Sequence, residues 1–157
     1  MNTIPATPPS ASVSTSNPDW RQIAIISLAS LGVLDTLYLV WAKVVDGYGW
    51  CSGIGDCATV NNSVYSELFG IPIAVLGLLV YLVVLAVSAL EARRLGTQFW
   101  VALVTFGLSL VGTIYSVWLT YVAMEILDAI CPFCVISAVL ITAILVVSSV
   151  RVRDYIR

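Results

Sequence analysis

The chain contains no histidine. That absence removes a common zinc ligand and the side chain that most often moves protons near neutral pH, so no metal site is expected. Charge is scarce too: Asp, Glu, Lys and Arg make up 10% of 157 residues, and the net charge is -2. Such a chain offers no basic footprint for a nucleic-acid backbone, and no nucleic-acid partner is expected. What it has instead is apolar mass. Hydrophobic residues account for 60% of the sequence and the mean hydropathy is +1.01. A soluble domain of this size cannot hide that much apolar surface, so membrane lipid is the expected solvent.

Residues 1–20 differ in kind, with Pro5, Pro8, Pro9 and Pro18 among Ser, Thr, Ala and Asn. A segment of that composition cannot offset its ordering entropy and reads as a disordered tail. It lacks the cationic start and short apolar run of a signal peptide. Four later stretches, 22–42, 72–90, 99–124 and 133–150, match or approach the ~20 apolar residues that cross a bilayer as a helix. The expected fold is therefore an all-α membrane protein, a four-transmembrane-helix bundle over 21–150. A long outer loop with a short interfacial helix follows the first span, and 151–157 form the far end. Arg21, Arg93, Arg94, Arg151, Arg153 and Arg157 fall on one face of such a bundle and only Lys43 on the other. Cations favour the cytoplasm. Both termini are thus expected inside, and Cys51, Cys57, Cys131 and Cys134 at the outer face, where disulfides persist.

Two pairs of cysteines at one face suggest a thiol–disulfide relay. Cys51 and Cys57 bracket Gly53 and Gly55, which leave the loop pliable enough for the sulfurs to pair, separate and swing. Cys131-Pro-Phe-Cys134 sits where the fourth span begins. With Cys131 as N-cap, Pro132 takes the first helical position, where its missing N–H matters least. Cys134 then lies in the first turn, where free N–H groups and the helix dipole are expected to favour its thiolate. Two inert disulfides, a four-cysteine zinc site and acylated cysteines are the duller readings. Structural bridges rarely sit as Cys-x-x-Cys at a helix start, structural zinc belongs in reduced soluble modules, and acylated cysteines face the cytoplasm.

The string Cys57-Ala-Thr-Val-Asn-Asn-Ser63, then Tyr65, the run from Phe69 to Gly77 and Cys131-Pro-Phe-Cys134 resemble the vitamin K epoxide reductase family, in particular its bacterial branch. The resemblance covers everything after the tail. The other four-span bacterial disulfide oxidase has its cysteine pairs in the reverse order. The resemblance implies an oxidoreductase acting on thiols with a quinone acceptor, whether ubiquinone, menaquinone or phylloquinone, in the bacterial inner membrane. A thioredoxin-like partner, fused or in trans, attacks Cys51; the freed Cys57 attacks Cys131; Cys134 leaves as a thiolate and reduces the quinone. Ser63 matches the family's loop hydroxyl, with an N-cap of segment 64–69 as its alternative role. That segment places Val64, Tyr65, Leu68 and Phe69 at helical spacing and is expected to lie flat over the quinone pocket.

Asp35, Tyr121 and Phe133 complete the pocket candidates. Asp35 is an intramembrane acid with no cation at its depth, expected to bond a Tyr or Ser on a neighbouring span or to handle protons. Tyr121 and Glu125 lie one turn apart near the outer end of the third span. Vertebrate members carry a tyrosine four residues after the second cysteine of Cys-x-x-Cys; this chain has Ala138. That departure favours a plain quinone over an epoxide. Many bacterial members continue into a fifth span and a thioredoxin-like domain, whereas this sequence ends at Arg157. The alternatives are an epoxide or quinone reductase with another dithiol donor, or a non-enzymatic scaffold.

Overall fold

A computed structural model describes residues 20–45, 47, 51, 55–91 and 98–157. Four long helices dominate: α1 (Trp20–Val45), α3 (Ile73–Glu91), α4 (Gln98–Glu125) and α5 (Pro132–Ile156). Between α1 and α3 lie the short helix α2 (Cys57–Asn61), a 3-10 turn (Val64–Ser66), and a minimal hairpin of β1 (Glu67–Leu68) and β2 (Ile71–Pro72). Each long helix carries a stretch long and apolar enough to cross a bilayer, and only 22–28% of each stretch is buried inside the protein. The remainder, with Leu34, Val111, Ile114, Val117 and Val139 exposed, would be a liability in water and suits acyl chains. This is a four-span, all-α membrane protein.

α1 packs against α3 and α5, α4 packs against α5, and the α3–α4 seam is the loosest. The mid-bundle core consists of Ile25, Ala29, Tyr81, Val84, Ile141 and Ile144. Gly32 lets the Tyr81 ring approach: a Cβ at Gly32 would sit 2.2 Å from a ring carbon. One end of the bundle is tied by polar contacts. Arg151 on α5 pairs with Glu91 on α3 at 2.5 Å, both almost fully buried; Arg21 pairs with Asp154; and Gln22 donates to the Ser88 carbonyl at 3.1 Å. The opposite end gathers the cysteines.

The helices exceed the expected spans at both ends except at Pro72, which belongs to β2, so α3 starts at Ile73. Segment 64–69 is not a flat helix. One 3-10 turn gives way to a two-residue hairpin turn in which Phe69 (φ 54) and Gly70 (φ 79) are both left-handed, the combination that matches strand twist. The short helix of the outer loop is α2, seven residues earlier than expected. The tail at 1–19, Arg93 and Arg94 lie outside the described residues.

Candidate functional site

Local sequence dictates how α5 begins. Cys131 is extended (φ -100, ψ 107), Pro132 opens the helix, and the Cys131 sulfur accepts the Cys134 backbone N–H at 3.3 Å. A sulfur thus takes the capping role usually given to oxygen. This corrects the expected site of thiolate stabilisation. The first-turn donors converge on Cys131, not on Cys134. A hydrogen bond from the Cys134 thiol, then the Cys134 backbone N–H and the Asn61 amide, holds the Cys131 thiol below its ordinary value, although burial opposes this.

Cys51 and Cys57 form a disulfide with their Cα atoms 6.0 Å apart. Cys57 is the first residue of α2, whose N-cap Asp56 accepts from Thr59 N at 3.0 Å and from the Thr59 hydroxyl at 2.6 Å. Those two bonds hold the Asp56 carboxyl below the usual carboxylate range. Gly53 lies outside the described residues, and Gly55 has a different job from pliability. A Cβ there would stand 2.3 Å from the Ile130 carbonyl oxygen and 2.8 Å from Pro132 Cδ. Next to it, Asp56 N donates to that same carbonyl at 2.9 Å. The loop is therefore docked onto the segment that leads into Cys131. Cys51 and Cys57 are at most 2% exposed, not freely swinging, and share one buried cluster with Cys131, with Cys134 packed against it.

Asn61 joins the two pairs. Its Nδ2 donates to the Cys57 carbonyl at 3.0 Å and reaches Cys131 Sγ at 3.8 Å and Cys134 Sγ at 4.0 Å. Lys43, at the end of α1, holds this region: Nζ donates to the Asn61 carbonyl at 2.9 Å and pairs with Glu67 at 3.1 Å. Ser66 closes on the same carbonyl at 2.5 Å. Asn61 was missed in the sequence, although it lies four residues after Cys57 and hence on the same helical face.

Beside the sulfurs, a cavity of about 310 Å³ runs along the α3–α4 seam. Its wall is chiefly apolar, with Thr36, Asn61, Ser66, Tyr81, Tyr115, Ser116, Cys134 and Ser137 as polar or reactive groups and Leu68 of the hairpin in its lining. A smaller cleft of about 40 Å³ near α4 touches Cys131 and Cys134 from the other side.

Residues 23–149 match the model of the vitamin K epoxide reductase family. The chain belongs to that family. A curated relative, the thiol-disulfide oxidoreductase LTO1 of Arabidopsis thaliana, is 32% identical over 115 residues, covering 69% of this chain. The chain spans about 30% of that relative's length.

For this vitamin K epoxide reductase family member, the remaining sequence candidates divide. Ser63 precedes the 3-10 turn but makes no capping bond; its hydroxyl donates to the Val60 carbonyl at 2.8 Å, a local contact away from the sulfurs. Tyr121 is 62% exposed on α4 and borders neither cavity. Phe133 stacks on Tyr38 with centroids 4.6 Å apart, bracing the cysteine cluster from outside the cavity. Asp35 stands beside Ser137 and is not among the residues that line the cavity. Tyr81 and Ser137, both on the wall, complete the site and carried no sequence signal.

Proposed function

We propose that this protein is a membrane thiol–disulfide oxidoreductase that passes electrons from a thioredoxin-like partner to a quinone and so promotes disulfide formation outside the cytoplasm. The observation that carries this reading is the convergence of both cysteine pairs at one bundle end, with Cys134 opening onto an apolar cavity. The volume falls in the range of small-molecule sites. Family membership and the relative's role as a thiol-disulfide oxidoreductase support the same chemistry. The bacterial branch and the inner membrane belong to the same reading and rest on the resemblance of the sequence motifs. Among the described residues, Arg21, Arg151, Arg153 and Arg157 lie at the end opposite the cysteines, which supports inward-facing termini.

A partner thiolate attacks Cys51, forming a mixed disulfide and freeing Cys57. The second partner thiol then attacks the mixed disulfide and leaves oxidised, with Cys51 reduced. Cys57 attacks Cys131 of the oxidised Cys131–Cys134 pair and releases Cys134 as a thiolate; Cys51 resolves the Cys57–Cys131 bond, leaving Cys131 and Cys134 reduced. A quinone held by the cavity residues accepts two electrons and two protons from that dithiol. Because Cys51 is buried, the loop must lift from Ile130 before a protein partner can reach it. The low value of the Cys131 thiol makes Cys131 a good leaving group when Cys51 reclaims Cys57.

Purified protein should oxidise a reduced thioredoxin-like substrate only when quinone is added. Cys134→Ala should abolish quinone reduction. Cys51→Ala should accumulate a Cys57–Cys131 disulfide yet keep activity with a small dithiol. Equal behaviour of the two variants with small dithiols defeats the directional relay. Labelling of any of the four thiols from the cytoplasmic side defeats the orientation. The buried Cys51–Cys57 bridge also suits an inert scaffold; such a bridge would resist mild reductant and never exchange partners.

A further inference from the structure

Two of the hydroxyls on the cavity wall, those of Tyr81 and Ser137, meet each other. Tyr81 Oη, on α3, donates to the Ser137 carbonyl at 2.8 Å and lies 3.3 Å from Ser137 Oγ. Ser137 lies three residues after Cys134 on α5, and all three groups line the cavity. From α1, the Asp35 carboxyl stands beside the Ser137 side chain. Asp35 Oδ2 is buried without a hydrogen-bond partner. An acid within a span is costly and is a candidate for function. Here one oxygen has no partner, on a carboxyl that borders Ser137, and Ser137 lines the same cavity as Cys134.

We propose that Asp35, Ser137 and Tyr81 form a proton path that carries the proton lost by Cys134 to the oxygen of a quinone in the cavity. The inference rests on the quinone reading above. Oxidation of the Cys131/Cys134 dithiol breaks two S–H bonds, forms one S–S bond and releases two electrons and two protons. Reduction of a quinone to a quinol takes up the same two electrons and two protons, so no further reactant is required. Asp35 accepts the Cys134 proton on its free oxygen and returns a proton through Ser137 Oγ to Tyr81, while the Tyr81 hydroxyl gives its own to the acceptor. The Cys131 proton leaves through the aqueous rim, and the second quinol proton enters from the same water. Tyr81, at the wall, touches the acceptor; Asp35 acts through Ser137.

The test uses the full chain in lipid nanodiscs, dithiothreitol as donor and a short-chain quinone as probe. Asp35→Asn and Tyr81→Phe should each lower quinone turnover by about 100-fold, the scale of a lost proton-transfer group. Exchange of dithiothreitol with the Cys51–Cys57 bridge, measured without quinone, should stay at the native rate in both. Asp35→Glu should recover part of the turnover. Without quinone, the infrared difference between reduced and oxidised protein should contain a carboxyl band that Asp35→Asn removes. Native turnover in Asp35→Asn, or the lack of a redox-linked carboxyl band, overturns the path. If Tyr81→Phe does not fold, the near-isosteric Asp35→Asn and the infrared band still decide. A native protein that exchanges thiols but reduces no quinone sinks the functional reading and the path with it; a native protein that reduces quinone as fast as Asp35→Asn sinks the path alone.

Discussion

Replacing Gly55 with alanine tests whether the loop pair must dock to hand on its electrons. The new Cβ would meet the Ile130 carbonyl oxygen at 2.3 Å and Pro132 Cδ at 2.8 Å. Neither atom can yield, because one is backbone and the other belongs to the ring that opens α5. Relief requires the loop to back away, which breaks the 2.9 Å bond from Asp56 N to the same carbonyl. Loss of that bond is worth about 0.5–1.5 kcal/mol, and the overlap adds about 1–3 kcal/mol. The docked state should therefore weaken by about 1.5–4.5 kcal/mol, a shift of about 10- to 2000-fold in the docking equilibrium. Two rates should move in opposite directions. Small-dithiol reduction of the Cys51–Cys57 bridge should quicken, because a bridge at most 2% exposed becomes accessible. The yield of trapped Cys57–Cys131 disulfide in a Cys51→Ala background should fall. Both are read by quenched alkylation and mass spectrometry. Unchanged bridge reduction together with native trapping would show that docking is incidental to the handover.

Three other perturbations probe different parts of the molecule. In reduced protein carrying Cys51→Ser and Cys57→Ser, ultraviolet thiolate absorbance should show Cys131 ionised at pH values where an ordinary cysteine is protonated. A folded-state value below the unfolded one means that this ionisation stabilises the reduced protein at pH above the ordinary thiol range, and that the contribution is lost as pH falls through the depressed value; Asn61→Leu should move the titration back upward. Gly32→Ala places a Cβ 2.2 Å from the buried Tyr81 ring, so thermal unfolding in detergent should show a loss of about 1–3 kcal/mol, and native stability would mean that the ring can swing aside. Glu91→Ala removes the carboxylate that pairs with the buried Arg151 and should destabilise by about 3–5 kcal/mol, whereas Glu91→Leu with Arg151→Leu should recover most of it; equal losses in the single and double variants would contradict the pairing argument.

The four spans were legible because a bilayer leaves the backbone one inexpensive solution, so length and hydropathy suffice. The Cys131 cap was legible too, since Pro132 is tolerated at a helix only near its start. Reading stopped where one residue type serves two purposes. Glycine supplies either freedom or close approach, and nothing around Gly55 in the sequence says which; only the Ile130 carbonyl on a distant segment does. Val64, Tyr65, Leu68 and Phe69 repeat at helical spacing, yet the Phe69–Gly70 turn overrides the pattern.

The position of the thiolate shows how a residue-level rule can be right in kind and wrong by one turn. Donors at a helix start do favour a sulfur anion, but they favour the sulfur that stands before the helix and faces its first free N–H. Cys131 holds that place through its capping bond, while Cys134 points down into the bundle beside Tyr81 and Ser137. The division suits two different tasks: the rim sulfur exchanges with another sulfur, and the inner one faces an apolar cavity. Residues 56 apart, such as Tyr81 and Ser137, meet only because α3 and α5 both pack against α1, so the chemistry of the inner sulfur stays hidden in a linear reading while that of the rim sulfur does not.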